Sequence, residues 1–270
     1  MCALEQMALS ERPRWPELAV TARAKLTLSL RVTGVRPDGY HLLEAEMVTV
    51  DLADALYFST GEGLEIVDAG AASMGHGHDH VPTGNSNLVL RALELAGRRA
   101  HVRLVKRIPA GAGLGGGSAD AAAVLAWAGA SGPSGLSLAS KLGSDVPFCL
   151  LGRGRARVSG CGEVVEPLAF EEAAGHVYTL LTPSFGVPTA AVYQAWDEMG
   201  GPVSDNFNDL EPAALKVEPR LEAWRDQLGQ ATGLTPVLAG SGSTWFVRGA
   251  FPGGGRLVVH VDRDEMVEPI

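Results

Sequence analysis

The sequence is poor in cysteine and in basic residues, and it lacks a long apolar run. Cys2, Cys149 and Cys161 are its only cysteines, and they form neither a CxxC pair nor an even-numbered set. A disulfide scaffold is therefore excluded, and a reducing, cytoplasmic compartment is expected. The 31 acidic and 22 basic side chains give a formal net charge of −9. This balance argues against a nucleic-acid partner bound by phosphate neutralisation.

No membrane partner is expected either. The longest stretch without a charged residue, 121–140, contains Pro133 and three glycines, so it does not predict a membrane span. The first twenty residues lack a basic segment followed by an apolar one, and we expect no signal peptide. With 270 residues, of which 46% are hydrophobic, the chain can bury the core of one large domain or two of middling size.

Strand and helix patterns are mixed without strict alternation, which predicts an α+β fold. Alternating apolar residues predict strands over 18–31, 41–58, 63–68, 100–108, 176–182, 244–247 and 256–261. Helical spacing predicts helices over 87–97, 118–127, 136–142, 189–199 and 210–229. The Gly- and Arg-rich stretch near 153–160 suggests a domain boundary. We therefore predict an N-terminal extension over 1–17, a domain over 18–155 and a smaller domain over 156–270.

Glycine is abundant, and its clustering between Gly111 and Gly117 is the most informative feature. Five of these seven residues are glycine, and Ser118 and an Ala-rich helix pattern follow. Without side chains, backbone N–H groups can close around an anion, and Ser118 is a suitable helix N-cap. A glycine loop that leads into a helix N-terminus predicts a phosphate site. The alternative is a tight turn, which needs fewer glycines.

Familiar nucleotide-binding classes fit this loop poorly. Gly111, Gly113 and Gly116 match G-x-G-x-x-G, but no acidic residue follows about 20 positions later, as a dinucleotide fold requires. The sequence has no Gly-Lys-Ser/Thr tripeptide for a P-loop. It also has neither the HRD nor the DFG motif of protein kinases.

The segment P-x-G-x-G-L-G-G-G-S-A at 109–119 is similar to the ATP-phosphate loop of the GHMP kinases. Segments 24–47, 142–163, 207–212 and 238–247 resemble, in the same order, motifs of one of their families, the 4-diphosphocytidyl-2-C-methyl-D-erythritol kinases. The resemblance implies a two-domain GHMP kinase fold, with a ribosomal-S5-domain-2-like N-terminal domain and a ferredoxin-like α/β C-terminal domain. It implies ATP-dependent phosphorylation of the 2-hydroxyl of 4-diphosphocytidyl-2-C-methyl-D-erythritol, with ATP and Mg²⁺ as cofactors, in the methylerythritol phosphate route to isoprenoids.

The same resemblance assigns roles to individual residues. Asp145 is implied as the base that takes the acceptor proton, and Lys25 as the cation that polarises the hydroxyl and the phosphoryl group. The implied ATP site comprises Pro109, Gly111, Gly113, Leu114, Gly115, Gly116, Gly117, Ser118 and Ala119. The implied substrate residues are Thr27, Asp38, Tyr40, His41, Thr189 and Tyr193. Aromatic rings at two of these positions can stack on cytosine.

Plainer interpretations stay open at this point. Asp145 is also a suitable helix cap, Lys25 an exposed strand lysine and Tyr193 a core aromatic, while Asp38–His41 is also a turn sequence. Thr27 stands where the family usually has Asn, which favours a GHMP kinase for another small alcohol. A catalytically silent ATP-binding homologue is the remaining alternative.

Two further expectations concern charge and metal. Because both substrates are anionic, we expect a locally basic cleft, with Lys25, Lys106, Arg107 and Lys141 as candidates. His76, His78 and His80 alternate as metal ligands can, but the flanking Gly and Pro predict a solvated loop. We predict no protein-held metal site.

Overall fold

The structure is a computed structural model that describes residues 20–69, 81–152 and 154–262. Its strands are β1 (Val20–Val35), β2 (His41–Ser59), β3 (Gly63–Asp68), β4 (His101–Lys106), β5 (Arg155–Gly160), β6 (Val164–Pro167), β7 (Val177–Leu181), β8 (Val237–Leu238), β9 (Trp245–Arg248) and β10 (Leu257–His260). Its α-helices are α1 (Leu88–Leu95), α2 (Gly116–Trp127), α3 (Gly132–Leu142), α4 (Val146–Leu151), α5 (Thr189–Glu198), α6 (Glu211–Val217) and α7 (Leu221–Thr232). They form two sheets with helices, as the predicted α+β GHMP kinase fold requires.

The first sheet is organised around the long antiparallel pair β1 and β2. A turn containing Gly39, whose φ is 85°, joins them. Strand β2 pairs with β4 through its last residues and with β5 through its first ones, while β3 runs parallel to β4 and β6 lies beside β5. The segment 24–47, which resembles the first family motif, therefore lies in β1, the turn and the first part of β2.

Helix α2 is buried within the first half of the molecule. Ala121, Val124 and Leu125 expose none of their surface, and α2 packs against α1, α4 and β1. Small alanine side chains allow these elements to approach closely, and Ala has the highest helix propensity. The N-terminus of α2, which follows the glycine loop, is therefore held in a fixed position beside β1.

The second sheet is antiparallel and has the strand order β10-β7-β9-β8. Counted from β7 this order is 4-1-3-2, which is that of the ferredoxin-like domain implied by the resemblance. Helices α5, α6 and α7 lie between β7 and β8 in the chain, and they share a core with Trp245. The segment before α6 is tied to β1 of the first sheet, since Leu30 N–H donates to Phe207 O at 2.8 Å. No helix in the described ranges has the length and apolarity needed to cross a bilayer.

The structure differs from the predicted elements mainly at helix ends and in short elements. The predicted helix 210–229 is two helices, because Glu218 precedes Pro219 and leaves the helical conformation (φ −135°, ψ 84°). Helix α3 begins four residues before the predicted start, since Pro133 is tolerated in a first helical turn. The pattern analysis did not predict β5, β6, β8 or α4. The domain boundary stays a prediction, and β5 straddles it; the extension 1–17 lies outside the described residues.

Candidate active site

The glycine loop requires glycine at several positions, because β1 and the backbone of the C-terminal half contact it closely. Gly111, Gly113 and Gly115 have positive φ, between 69° and 77°. A Cβ on Gly113 would lie 2.5 Å from the carbonyl oxygen of Ala239, and one on Gly115 would lie 2.8 Å from Lys25 Cγ. The loop is therefore shaped by the backbone of the C-terminal half and by a lysine of β1.

The predicted N-cap at Ser118 is wrong. Helix α2 begins at Gly116, and its cap is Gly115 in the left-handed conformation, without a side-chain hydrogen bond. Ser118 is the third helical residue. The first-turn N–H groups of a helix have no partner inside it, so these amides remain donors for an anion. The phosphate site therefore stays a prediction, with the serine inside the helix rather than in front of it.

Lys25 and Asp145 meet at the start of this helix. Lys25 Nζ lies 3.3 Å from Asp145 Oδ2 and donates to Thr27 Oγ1 at 3.0 Å. Lys25 is buried in β1, whose N–H at this residue donates to Leu114 O of the loop at 3.0 Å, while Asp145 precedes α4. The Asp145 side chain is 30% exposed. A buried ammonium thus faces a carboxylate that solvent or a substrate can reach.

A turn of the C-terminal half closes the other side of this pair. A Cβ on Gly240 would lie 3.5 Å from Lys25 Nζ, and Thr189 Oγ1 is 2.9 Å from Ser241 Oγ. Asn208 fixes the turn from behind, since its amide donates to the carbonyls of Leu238 (2.8 Å) and Gly240 (2.6 Å). The residue-by-residue reasoning missed Asn208 and Ser241, although the segments 207–212 and 238–247 contained the signal.

Aromatic side chains gather next to Asp145. The His41 ring lies 4.6 Å from the Tyr193 ring, and its Nε2 is 2.8 Å from Asp197 Oδ1. Burial, reinforced by the nearby charge of Asp145, raises the pKa of Tyr193 to about 12, so this phenol is neutral at physiological pH. Tyr40 is 64% exposed. Tyr40 is thus an exposed ring of the β1–β2 turn, whereas Tyr193 is a largely buried ring packed against His41.

Asp38 and Lys106, two further predicted residues, lie in the β1–β2 turn and in the protein interior. Asp38 is exposed in the β1–β2 turn, where it pairs with Arg36 (2.7 Å) and accepts a hydrogen bond from Tyr40 N–H. Lys106, expected to make the cleft basic, is instead buried between two aspartates. Its charge is therefore largely compensated.

Metal ligands do not cluster in the part of the chain that the structure describes, where no group of three His, Cys, Asp or Glu could hold an ion. His76, His78 and His80 lie outside the described residues.

Comparisons with known proteins agree with one another. The family description "GHMP kinases N terminal domain" matches residues 87–153. The 4-diphosphocytidyl-2-C-methyl-D-erythritol kinase of Pelotomaculum thermopropionicum is 40% identical over 263 residues, covering 85% of this chain and 88% of that protein. The same enzyme of Xanthomonas axonopodis pv. citri is 35% identical over 268 residues, covering 90% and 86%.

Solved structures extend the comparison to the fold. A crystal structure of 4-(cytidine 5'-diphospho)-2C-methyl-D-erythritol kinase superposes with a TM-score of 0.62 at 35% identity, covering 85% of this chain and 89% of that one. A homoserine kinase from Cytophaga hutchinsonii has a TM-score of 0.53 at 17% identity, covering 94% and 98%. The second likeness shows a shared fold.

Proposed function

The chain belongs to the 4-diphosphocytidyl-2-C-methyl-D-erythritol kinases of the GHMP kinase superfamily, and we propose how its own residues serve that activity. The reaction transfers a phosphoryl group from ATP to the 2-hydroxyl of 4-diphosphocytidyl-2-C-methyl-D-erythritol and gives the 2-phosphate and ADP. It is a step of the methylerythritol phosphate route to isoprenoids. The observation that carries the site proposal is the Lys25–Asp145 pair at the glycine loop. A cytoplasmic location is part of the same proposal.

Asp145 acts as the base. Its carboxylate accepts the proton of the 2-hydroxyl as the hydroxyl oxygen attacks the terminal phosphorus of ATP, and the bond from that phosphorus to the ADP oxygen breaks. Lys25 is held by Asp145 and Thr27, so its ammonium is oriented before substrate arrives. It offsets the negative charge on the attacking oxygen and on the transferred group.

The glycine loop holds the triphosphate, with the backbone amides of Gly115–Ser118 as donors, since the Ala119 N–H already donates to Gly115 O. Mg²⁺ fits this site as a companion of ATP, because Mg²⁺ usually takes its ligands from phosphate oxygens, water and one or two carboxylates. Such an ion needs no cage of protein ligands of its own. When bound, it neutralises charge on the triphosphate.

The cytidine end of the substrate is assigned to the aromatic region. Tyr40 and Tyr193 supply the rings that stack on cytosine, and His41 supplies a ring nitrogen for its polar edge. Asp38 orders the turn that carries Tyr40. Thr189, which faces Ser241, and Thr27, which accepts from Lys25, border the acceptor alcohol.

The test measures ADP release with Mg·ATP and 4-diphosphocytidyl-2-C-methyl-D-erythritol. We expect Asp145→Asn to lower kcat by roughly 10²- to 10⁴-fold and to leave ATP binding intact, since an amide cannot take the proton. Asp226→Asn, which changes an exposed carboxylate of α7, serves as the matched control and should keep full activity. Near-normal turnover in Asp145→Asn would contradict the assignment of the base. Turnover only on another alcohol would favour the broader kinase alternative.

A further inference from the structure

Three charged side chains form a buried cluster beneath the glycine loop and have no role in the transfer described above. They are Asp54 of β2, Lys106 of β4 and Asp120 of α2, and each side chain is at most 4% exposed. Lys106 Nζ donates to Asp54 Oδ2 and, at 2.8 Å, to Asp120 Oδ2. Two carboxylates share one ammonium, so the fully ionised cluster has a buried net charge of −1.

The two carboxylates are not equally satisfied. Besides Lys106, Asp54 accepts the backbone N–H groups of Arg107 (2.5 Å) and Ile108 (2.9 Å) through Oδ1. Asp120 Oδ1 is buried and has no hydrogen-bond partner. Donors stabilise an ionised carboxylate, whereas burial without donors favours the protonated form. A proton that enters the cluster therefore goes to Asp120.

The pKa values agree with this geometry. Burial, opposed by the charge of Lys106, raises the pKa of Asp120 to about 7. Burial alone would lower the pKa of Lys106, but the charges of Asp120 and Asp54 outweigh it and raise that pKa. The ammonium thus stays charged, and Asp120 is the group that titrates.

The cluster lies directly under the proposed phosphate site. A Cβ on Gly116, the first residue of α2, would lie 3.2 Å from Lys106 Nζ. Asp120 is four residues further along, about one helical turn. A triphosphate at this helix start would bring several negative charges close to the Asp120 carboxylate, in a region where little water screens them.

Other charges around α2 are directed elsewhere. Lys25 of β1 faces Asp145, which precedes α4. Arg91 and Glu94 of α1 and Lys141 of α3 are exposed, and α4 itself has no charged residue. Among the described residues, the charges that act on Asp120 are those of Lys106 and Asp54.

We propose that the cluster of Asp54, Lys106 and Asp120 couples nucleotide binding to proton uptake: the triphosphate of ATP binds best when Asp120 is protonated. The inference rests on the proposed function, because it requires ATP at the glycine loop. Asp120 is then a positioning residue that acts through charge and the placement of Lys106, without touching the reacting atoms. By linkage, ATP must bind more weakly as the pH rises through the titration of Asp120.

The experiment is titration calorimetry of the full chain with Mg·ATP in two buffers of different ionisation enthalpy, which counts protons. If ATP raises the pKa of Asp120 by one unit, about 0.4 of a proton is taken up at pH 7, and affinity falls about sevenfold between pH 6 and 8.5. Kinetically, KM for ATP should follow this pH dependence, while kcat at saturating ATP should not. Zero uptake by the wild-type chain would overturn the inference without any variant.

Variants assign the proton to its residue. Asp120→Asn should abolish the uptake and flatten the pH dependence of affinity, because the amide does not titrate in this range. Glu94→Gln, which changes an exposed carboxylate of the neighbouring helix α1, should behave as wild type. Equal uptake in Asp120→Asn and wild type would overturn the inference. Failure of wild type to bind ATP at all would instead contradict the proposed function, so the two failures are distinguishable.

Discussion

Replacing Gly113 by alanine tests whether the glycine loop is shaped by its contact with the C-terminal half. The φ of Gly113 is 77°, and a new Cβ would lie 2.5 Å from Ala239 O and 2.7 Å from Gly242 O. Both are backbone atoms, so no side-chain rotation can relieve the collision. Gly129, just after α2, supplies a matched control, because its φ is 86° and its Cβ would meet nothing within 4 Å.

Both substitutions carry the cost of a left-handed backbone, but only Gly113→Ala also creates a steric collision. An alanine in the left-handed conformation costs about 1 kcal/mol at either position. Only at Gly113 must the contact also open by about 0.8 Å to reach the ~3.3 Å at which carbon and oxygen normally meet. A displacement of this size at a catalytic site costs about 10²-fold in rate. We therefore expect kcat/KM to fall about 100-fold in Gly113→Ala and to change little in Gly129→Ala.

The assay is ADP release at several substrate concentrations, with unfolding by urea measured in parallel to confirm that both variants are folded. Activity of Gly113→Ala within about twofold of Gly129→Ala would refute the reasoning, because the collision would then be absorbed without moving the loop. A loss in both variants would also refute it, since the shared backbone cost would then explain the effect.

Three other predictions concern stability and titration. In urea denaturation, Asn208→Ala should lower the free energy of unfolding by about 2–3 kcal/mol, because the carbonyls of Leu238 and Gly240 lose their donor. The control Asp205→Ala, at an exposed position, should change the free energy of unfolding by at most ~0.5 kcal/mol. A smaller loss at Asn208 would mean that water replaces its amide. Tyr193 should keep its proton at pH 11, so the ultraviolet titrations of wild type and Tyr193→Phe should coincide up to that pH and separate only above it. Asp120 binds its proton more tightly when folded (pKa about 7) than when unfolded (3.8), so it makes stability fall as the pH rises from about 4 to about 7. The difference in Tm between Asp120→Asn and wild type should therefore change across that interval, and a constant difference would contradict the assignment.

Local sequence patterns were sufficient for the long elements and for the glycine loop. Strands β1 and β2 follow from alternation, α2 follows from its run of alanines, and the tight glycine loop before α2 follows from five glycines between Gly111 and Gly117. These features depend on residues that are neighbours in the chain, where period and propensity act directly. Resemblance to a family then supplied the reaction and the residues to examine.

Short elements and helix ends were harder to predict because tertiary contacts set them. Strand β8 has only two residues, too few for a periodic pattern, and it exists because it pairs with β9. Ser118 has the residue type of an N-cap, yet Gly115 takes the position because Lys25 passes beneath it and leaves no space for a side chain. A close approach from a distant strand thus overrode a local preference.

The tertiary structure alone decided which charges meet. Lys25 and Asp145 are 120 positions apart in the sequence, and only the packing of β1 against α2 and α4 brings them within 3.3 Å. The sequence predicted Lys106 as a cation of a basic cleft, but the fold places it between Asp54 and Asp120. Long-range pairs of this kind have no sequence period, because they arise from the crossing of elements rather than from spacing along one of them. The amino-acid order therefore determined the long elements and the family, and the three-dimensional packing determined the short elements and which charges meet at the site.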